Sequence, residues 1–441
     1  MKETQPIQDP HTDPVYLTCA AVSSVIQTLP AGTAYFIGIV LIVMMTGRLM
    51  QHKGSLARAV LPLVMHLKWG WHRVERAMER GKLSLDLMFE QAYQWCMSNL
   101  EVEPVRLGSR QREVISLDSS TIARLRCQLG KGALLGKGFC HRAGRAVRAN
   151  IVAAAVNIVF IRGIRVGLVR RVRYGYSCEA AVEKLFKELP KLSDNCLVVV
   201  DAGIATKEQF AKATPAQALL GRLRINCKLR CAPPPPNGKP GRDPIHGKVL
   251  HPGRRRPEVK ADEDFKIPGK IPGEKGEIRI RHWHKVHFEG YHKTELDLLR
   301  IDDPAYKKPL IVGTTAQGEL TTEELCQAYP HRWPVETLFF IGEETTATEK
   351  PRAWTENAVA RRIGLGLLSG SLLKAIAAMG EGLPMGPWDL NPKPSAGRLA
   401  NHLDIHLANL LPLALKGAAP RNYRKIHNAT QSKHLQLKKP A

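Results

Sequence analysis

Carboxylates are scarce in this chain and unevenly spread. Asp and Glu number 40 against 65 Lys and Arg; none lies between Asp118 and Glu179, and none follows Asp404. A formal charge of +25 and a pI near 9.8 make a polyanion the expected partner, nucleic acid first and an anionic membrane surface second. Nine cysteines, an odd number without paired spacing, argue against a disulfide framework and for reduced thiols in the cytoplasm. The first thirty residues hold one lysine and no arginine, so the basic start of an export signal is missing. No Walker-type phosphate loop occurs, so ATP is not implied. Aromatics are only 6%, yet apolar residues reach 44%, which excludes wholesale disorder and a collagen-like repeat. The one long uncharged run, Ala31 to Gly47, has seventeen residues, the lower limit for a membrane span; with no second span, it predicts a buried helix.

At 441 residues the chain exceeds what one core usually serves, so two or three domains are expected. Residues 1–108 read as a helical N-terminal domain suited to DNA binding. In it Leu85, Met88, Phe89, Ala92, Tyr93 and Cys96 fall at helical spacing behind a Ser84 cap. From Val114 the pattern changes: VISLDSST, IVAAAVNIVF and IRVGLVRRV favour strands, CEAAVEKLFKEL an amphipathic helix, CLVVVDAG a buried central strand and ALLGRLRI a further strand. Residues 109–225 therefore predict an α/β domain with a mixed sheet and flanking helices. Residues 226–292 are rich in Pro, Gly and charge and read as an extended or β-rich insertion. Arg222 to Lys285 carries seventeen basic against seven acidic side chains. Strands and then helices return over 293–380, and 381–441 reads as a basic tail.

Two aspartates end apolar strands, Asp118 after VISL and Asp201 after LVVV. A charge there costs several kcal/mol, roughly, unless a cation or metal compensates it. Either alone could cap a turn. A third carboxylate, Glu336, opens a helix in YPHRWPVETLFF, with Pro334 suited to its first turn.

The strand-terminal Asp of LDSST, the second of VVVDAG, and Tyr329-x2-Arg332-x3-Glu336 resemble the DDE transposases of bacterial insertion sequences. The likeness is to members with a proline-rich segment after the fifth strand, here RLRINCKLRCAPPPPNGKPGRDP, and runs from about residue 30 to 378. It implies a ribonuclease-H-like fold in which Asp118, Asp201 and Glu336 hold two Mg2+ ions, with Mn2+ as a substitute, for cleavage and strand transfer of double-stranded DNA. It further implies a homodimeric synaptic complex in the nucleoid, and phosphate contacts from Tyr329 and Arg332. After six intervening residues the motif continues with a lysine, where this chain has Glu343 and its nearest lysine is Lys350. Two readings stay open: another cation such as Lys350 substitutes, or this copy is impaired and acts as a DNA-binding protein.

Other signals are weaker. Arg222, Arg224, Lys228 and Arg230 alternate as on one basic strand face, and Arg254, Arg255 and Arg256 form a basic triplet; both suit phosphate contact without sequence preference. Cys227-x3-Cys231-x14-His246-x4-His251 approaches zinc-finger spacing, but consecutive prolines occupy the place of the finger's helix. His282, His284 and His287 share a strand-like run, with the first two on one face; a basic strand edge explains them more simply than metal binding does.

Overall fold

The computed structural model describes residues 12–64, 71–124, 134–140, 144–234, 244–268, 277–353 and 355–418. The chain opens with helices α1 (Pro14–Ile26), α2 (Ala31–Met45), α3 (Arg48–Gln51), α4 (Leu56–Val64), α5 (His72–Arg80) and α6 (Leu85–Asn99). Strands follow: β1 (Val102–Pro104), β2 (Arg106–Leu107), β3 (Arg112–Ala123), β4 (Gly136–Cys140), β5 (Arg145–Ile161) and β6 (Ile164–Gly175). Then come α7 (Cys178–Phe186), β7 (Cys196–Val200), α8 (Lys207–Lys212) and β8 (Gln217–Arg222). Short β9 (Leu229–Arg230) and β10 (Val249–Leu250) lead to β11 (Glu263–Pro268), β12 (Glu277–Phe288), β13 (Leu296–Asp302) and β14 (Leu310–Thr314). The chain continues through α9 (Thr322–Ala328), a 3-10 turn at Tyr329–Arg332, α10 (Trp333–Glu344), α11 (Glu356–Met379), α12 (Ala396–Ile405) and α13 (Leu407–Ala414).

One mixed sheet organises these elements into an α/β architecture. Its central order is β5-β3-β7-β8-β14-β13-β12, with β6 on the far side of β5. β3, β7 and β8 run parallel, and β5 and β6 pair antiparallel beyond β3. Parallel neighbours need a crossover; here β6 and α7 lie between β3 and β7, and α8 connects β7 to β8. The β5–β6 hairpin closes on Arg162 and Gly163, both at positive φ, the geometry that a tight antiparallel turn demands.

Alternation along the strands separates two cores. Ile115, Leu117, Ala153 and Val198 face α7 and α8, whereas Val114, Val152, Val156 and Val199 face the larger core with α10, α11 and the N-terminal helices. The helices of 1–108 thus share a core with the sheet and α11. The reason lies in α2, which is apolar on every side and buried from Ala34 to Met45; such a helix needs neighbours all round. α1, α5 and α11 surround it. Among the described residues α11 alone is long and apolar enough to cross a membrane, and 94% of that stretch is buried inside the protein.

The segment 226–292 joins the same sheet over much of its described length. β11 pairs with β12, β12 with β13, and β13 with β14 beside β8, so the sheet runs on through the insertion instead of stopping at 225. Of the expected basic tail 381–441, the stretch 396–414 is folded: Leu399, Leu403, Leu407 and Leu410 are buried in the core, and α13 packs on α1. Helical spacing of leucines behind the Ser395 cap explains it. The tail's arginines and lysines from Arg421 onward lie outside the described residues.

Candidate functional site

β3 and β7 bring two of the carboxylates together. Their last parallel pair is Ser116 with Val199, and two residues further on stand Asp118 and Asp201. On β3, Ser116 and Asp118 share one face. Ser116 Oγ donates to the Arg332 carbonyl at 3.0 Å, which anchors the 3-10 turn over that face. Capping sets the approach: Thr321 and Glu324 form a capping box on α9, whose end runs into the turn, and Pro334 occupies the first turn of α10. Gly167 of β6 permits the contact, since a Cβ there would stand 3.0 Å from the Pro334 Cβ.

The side chains of the turn then reach the carboxylates. The Tyr329 hydroxyl donates to Asp201 Oδ1 at 3.0 Å. Arg332 Nη1 donates to Glu336 Oε1 and lies 3.8 Å from Asp118 Oδ2, so one guanidinium nitrogen serves two acids. Asp118 Oδ1 also accepts the Ser119 amide at 2.7 Å. Arg332 itself is buried, stacked over Trp333 at 4.6 Å, and its Nε has no partner.

Burial lifts the Asp118 carboxyl to about 6, and the charges of Glu336 and Asp201 push the same way; the Ser119 amide and Arg332 only partly offset them. Burial, followed by the Asp201 charge, raises the Tyr329 phenol to about 12, so it stays a donor. Burial pulls Arg332 down, but its bond to Glu336 and the surrounding negative charge more than reverse this.

A cavity of about 280 Å3 opens beside these groups, lined by Asp118, Ser119, Glu336, Phe340, Glu343 and Glu349 among others. Asp118, Asp201 and Glu336 do not all approach within 4.8 Å of one another; among the described residues only Glu263, His282 and His284 do so. A pair of ions about 3.5–4 Å apart does not require that all three acids share one of them. Hard oxygen donors suit Mg2+. Asp118 and Glu336 line one cavity and offer it two such donors, and after burial it is the Glu336 charge that raises Asp118, a repulsion that a cation would relieve, so these residues fit such a centre.

The motif's missing lysine is not replaced by Lys350. Its ammonium lies 3.3 Å from Met50 Sδ and is not among the cavity-lining groups, whereas Glu343 is. The helix ends at Glu344, so Lys350 does not continue the face of Glu336.

The expected basic strand face is divided. β8 ends at Arg222, and a turn separates it from β9, so Arg222 and Arg224 are exposed while Lys228 and Arg230 pair with Glu289 at 2.8 and 2.7 Å. Arg222 acts electrostatically on Tyr329 and so belongs near the carboxylates. Arg254 pairs with Glu258, while Arg255 and Arg256 are exposed.

The zinc-finger spacing does not produce a finger. His246 Nδ1 lies 2.9 Å from His287 Nε2, but His251 Nδ1 meets Glu258 at 2.8 Å, and no three of Cys227, Cys231, His246 and His251 come within reach of one ion. The two cysteines flank β9 while the histidines flank β10, where other partners hold them. Nor is β12 an edge: β11 and β13 cover both its sides, and His282 and His287 are buried.

Sequence reasoning missed Ser116 and Gly167. The signal for Ser116 was a small polar residue inside an apolar strand, on the face of the following Asp. Neither a protein-family model nor a curated protein sequence matches the chain.

Proposed function

We propose that the chain is a DDE-type transposase with a ribonuclease-H-like core. It would cleave double-stranded DNA at the ends of an insertion element and join the freed 3′-hydroxyl to target DNA. The observation that carries this reading is that Asp118 of β3 and Glu336 of α10 meet at one buried arginine and one cavity, with Asp201 at the end of the adjacent β7 bound by Tyr329 of the same turn as that arginine. A mixed sheet with a late helix bringing three acids together is the arrangement the motif resemblance implies.

Asp118, Asp201 and Glu336 would hold the Mg2+ ions, which when bound activate the attacking oxygen and stabilise the leaving one. Phosphoryl transfer asks the protein mainly for positioning and neutralisation. Tyr329 fixes the rotamer of Asp201 by its hydrogen bond. Arg332 holds Glu336 and faces Asp118, leaving a preorganised positive group where phosphate charge would gather. Exposed Trp333 and Phe340 offer aromatic faces to a sugar or base on the α10 side. Arg222, Arg224, Arg255 and Arg256, exposed and outside the ion pairs that occupy Lys228, Arg230 and Arg254, are the basic groups assigned to backbone phosphates.

The test is Mg2+-dependent nicking of DNA carrying the element ends by the full chain. Asp118→Ala, Asp201→Ala and Glu336→Gln should each reduce it to background while leaving DNA binding in place. Undiminished nicking by any of the three would overturn the assignment.

A second reading has its own observation. Glu343 and Glu349 line the cavity where the motif lysine would attract phosphate. A transposase-derived protein that binds DNA without cutting it follows from that; tight binding with no Mg2+- or Mn2+-dependent nicking of any end sequence would favour it.

A further inference from the structure

Away from these carboxylates, a second cluster joins β11, β12, β13 and the start of α9. Glu263 and His282 are direct cross-strand partners, and His284 lies two residues further along β12. One donor atom from each of the three lies within 4.8 Å of the others. The cluster mixes imidazole with carboxylate, a donor set that suits a first-row transition ion and not Mg2+.

The Thr322 hydroxyl donates its one proton to Glu263 Oε2 at 3.0 Å. Its other contact, at 3.0 Å, is with His282 Nδ1, the ring nitrogen that also lies 3.9 Å from Glu263 Oε1. The remaining nitrogen, Nε2, is buried without a partner on a side chain that is 97% buried. Burial, with the neighbouring His284 second, depresses the pKa of His282 and keeps it neutral.

His284 has the same arrangement. Its Nδ1 faces Asp297 Oδ1 at 3.3 Å, and Asp297 is itself buried and held by the Gly318 amide. In the neutral ring with its proton on Nδ1, His284 Nε2 presents a lone pair to Glu263 Oε1 at 3.3 Å. A bound cation between them satisfies both, as a second ring proton would. Four-coordinate zinc with bonds of about 2.0–2.1 Å has donor-to-donor edges of about 3.3 Å, which matches the His284–Glu263 edge. Carboxylate–histidine pairs of the Asp297–His284 kind are the usual support of a metal-bound imidazole.

The backbone is bent to suit. The β12–β13 register shifts between Trp283 and Val286, and Lys285 within that bulge takes a φ of 51°, a strained value for a residue with a side chain. The His284 amide is held by Asp262 Oδ2 at 2.8 Å. Side-chain exposures of 45% for Glu263 and 40% for His284 leave a way in for an ion.

We propose that Glu263, His282 and His284 form a zinc-type divalent metal site, supported by Thr322 and Asp297. Its place is structural. It would fasten the inserted strands to the first residue of α9, the helix that delivers Tyr329, Arg332 and Glu336. The inference stands on its own residues, independently of the transposase reading.

The test uses chelator-stripped full chain carrying Asp118→Ala, Asp201→Ala and Glu336→Gln, so that the other carboxylates cannot bind. Calorimetric titration with Zn2+ should give one equivalent per chain. Co2+ should give visible bands of a nitrogen- and oxygen-ligated ion. His284→Ala and Glu263→Gln, both at partly exposed positions, should abolish saturable binding with the far-ultraviolet circular dichroism unchanged. Thr322→Val should weaken it by about 10–100-fold. Absence of saturable Zn2+ binding would mean that His284 is an imidazolium held between Glu263 and Asp297, and the proposal would be wrong. Equal binding by the His284→Ala and Glu263→Gln chains would overturn it as well.

Discussion

Replacing Asp118 by asparagine should stabilise the protein at pH 8 while removing its catalytic carboxylate. The wild-type group sits in the fold with its pKa raised from 3.8 to about 6, by burial first and by the neighbouring acids second. The folded state therefore keeps the proton to a higher pH than the unfolded one. Stability is full below 3.8 and declines as pH rises toward about 6, because the folded state must then carry a charge that it disfavours. A rise from 3.8 to about 6 corresponds to a penalty of about 3 kcal/mol at pH 8, and about half that at pH 5. Only 19% of the Asp118 side chain is exposed, so solvent screening reduces this modestly. Asparagine keeps an oxygen for the Ser119 amide and carries no charge. At about 2.1 cal/mol/K per residue, unfolding 441 residues releases about 0.9 kcal/mol/K, so the gain is a rise in Tm of about 3 °C at pH 8. Calorimetric scans of both proteins at pH 5 and pH 8 without divalent ions measure it. Added Mg2+ should narrow the gap by stabilising only the wild type. A variant that melts lower at pH 8, or a difference independent of pH, would refute the idea that Asp118 is a strained charge.

Other perturbations probe the framework and the cavity. Arg112 is 1% exposed and bonds Glu319, Asn195 and the Pro215 carbonyl, so Arg112→Met leaves Glu319 only the more exposed Arg110 at 3.3 Å; a loss of about 1.5–3 kcal/mol should appear in urea unfolding. Gly167→Val should drive α10 off β6 through Pro334, reducing nicking more than DNA affinity in parallel assays. Tyr329→Phe deletes a hydrogen bond to a carboxylate, worth about 1.5–3 kcal/mol, and nicking should fall while binding to nonspecific duplex stays unchanged. Glu343→Lys reverses a charge in the cavity wall; salt titration of DNA affinity should gain about one unit of slope if phosphate lies there.

Much of the architecture could be read from local pattern. Strands β3, β5, β6 and β7 follow apolar runs that end at Gly, Asp or Asn. α6, α9 and α10 follow caps and a first-turn proline, and the burial of Ala31–Gly47 follows from its lack of any polar face. Asp118 and Asp201 were legible because a charge after an apolar run is costly enough to stand out, and Glu336 because it opens a helix within the Tyr329-x2-Arg332-x3 pattern. The stretch 396–414 was misread as tail because the lysines and arginines from Lys416 onward set the reading of the whole segment, over the helical spacing of four leucines before them.

What the chain settled alone was therefore which segments become strands and helices and which acids are out of place among apolar neighbours, since those depend on residues a few positions apart. Tertiary structure alone decided that β3 runs on past Asp118 to Ala123, so that Asp118 lies inside its strand while Asp201 follows the end of the adjacent β7, and that Arg332 serves two acids while Lys350 turns to Met50. It also decided that β12 lies inside the sheet with Glu263 beside its histidines. Those outcomes rest on strand register and helix approach, set by which buried faces fit together across distant segments, and no short-range periodicity carries that information.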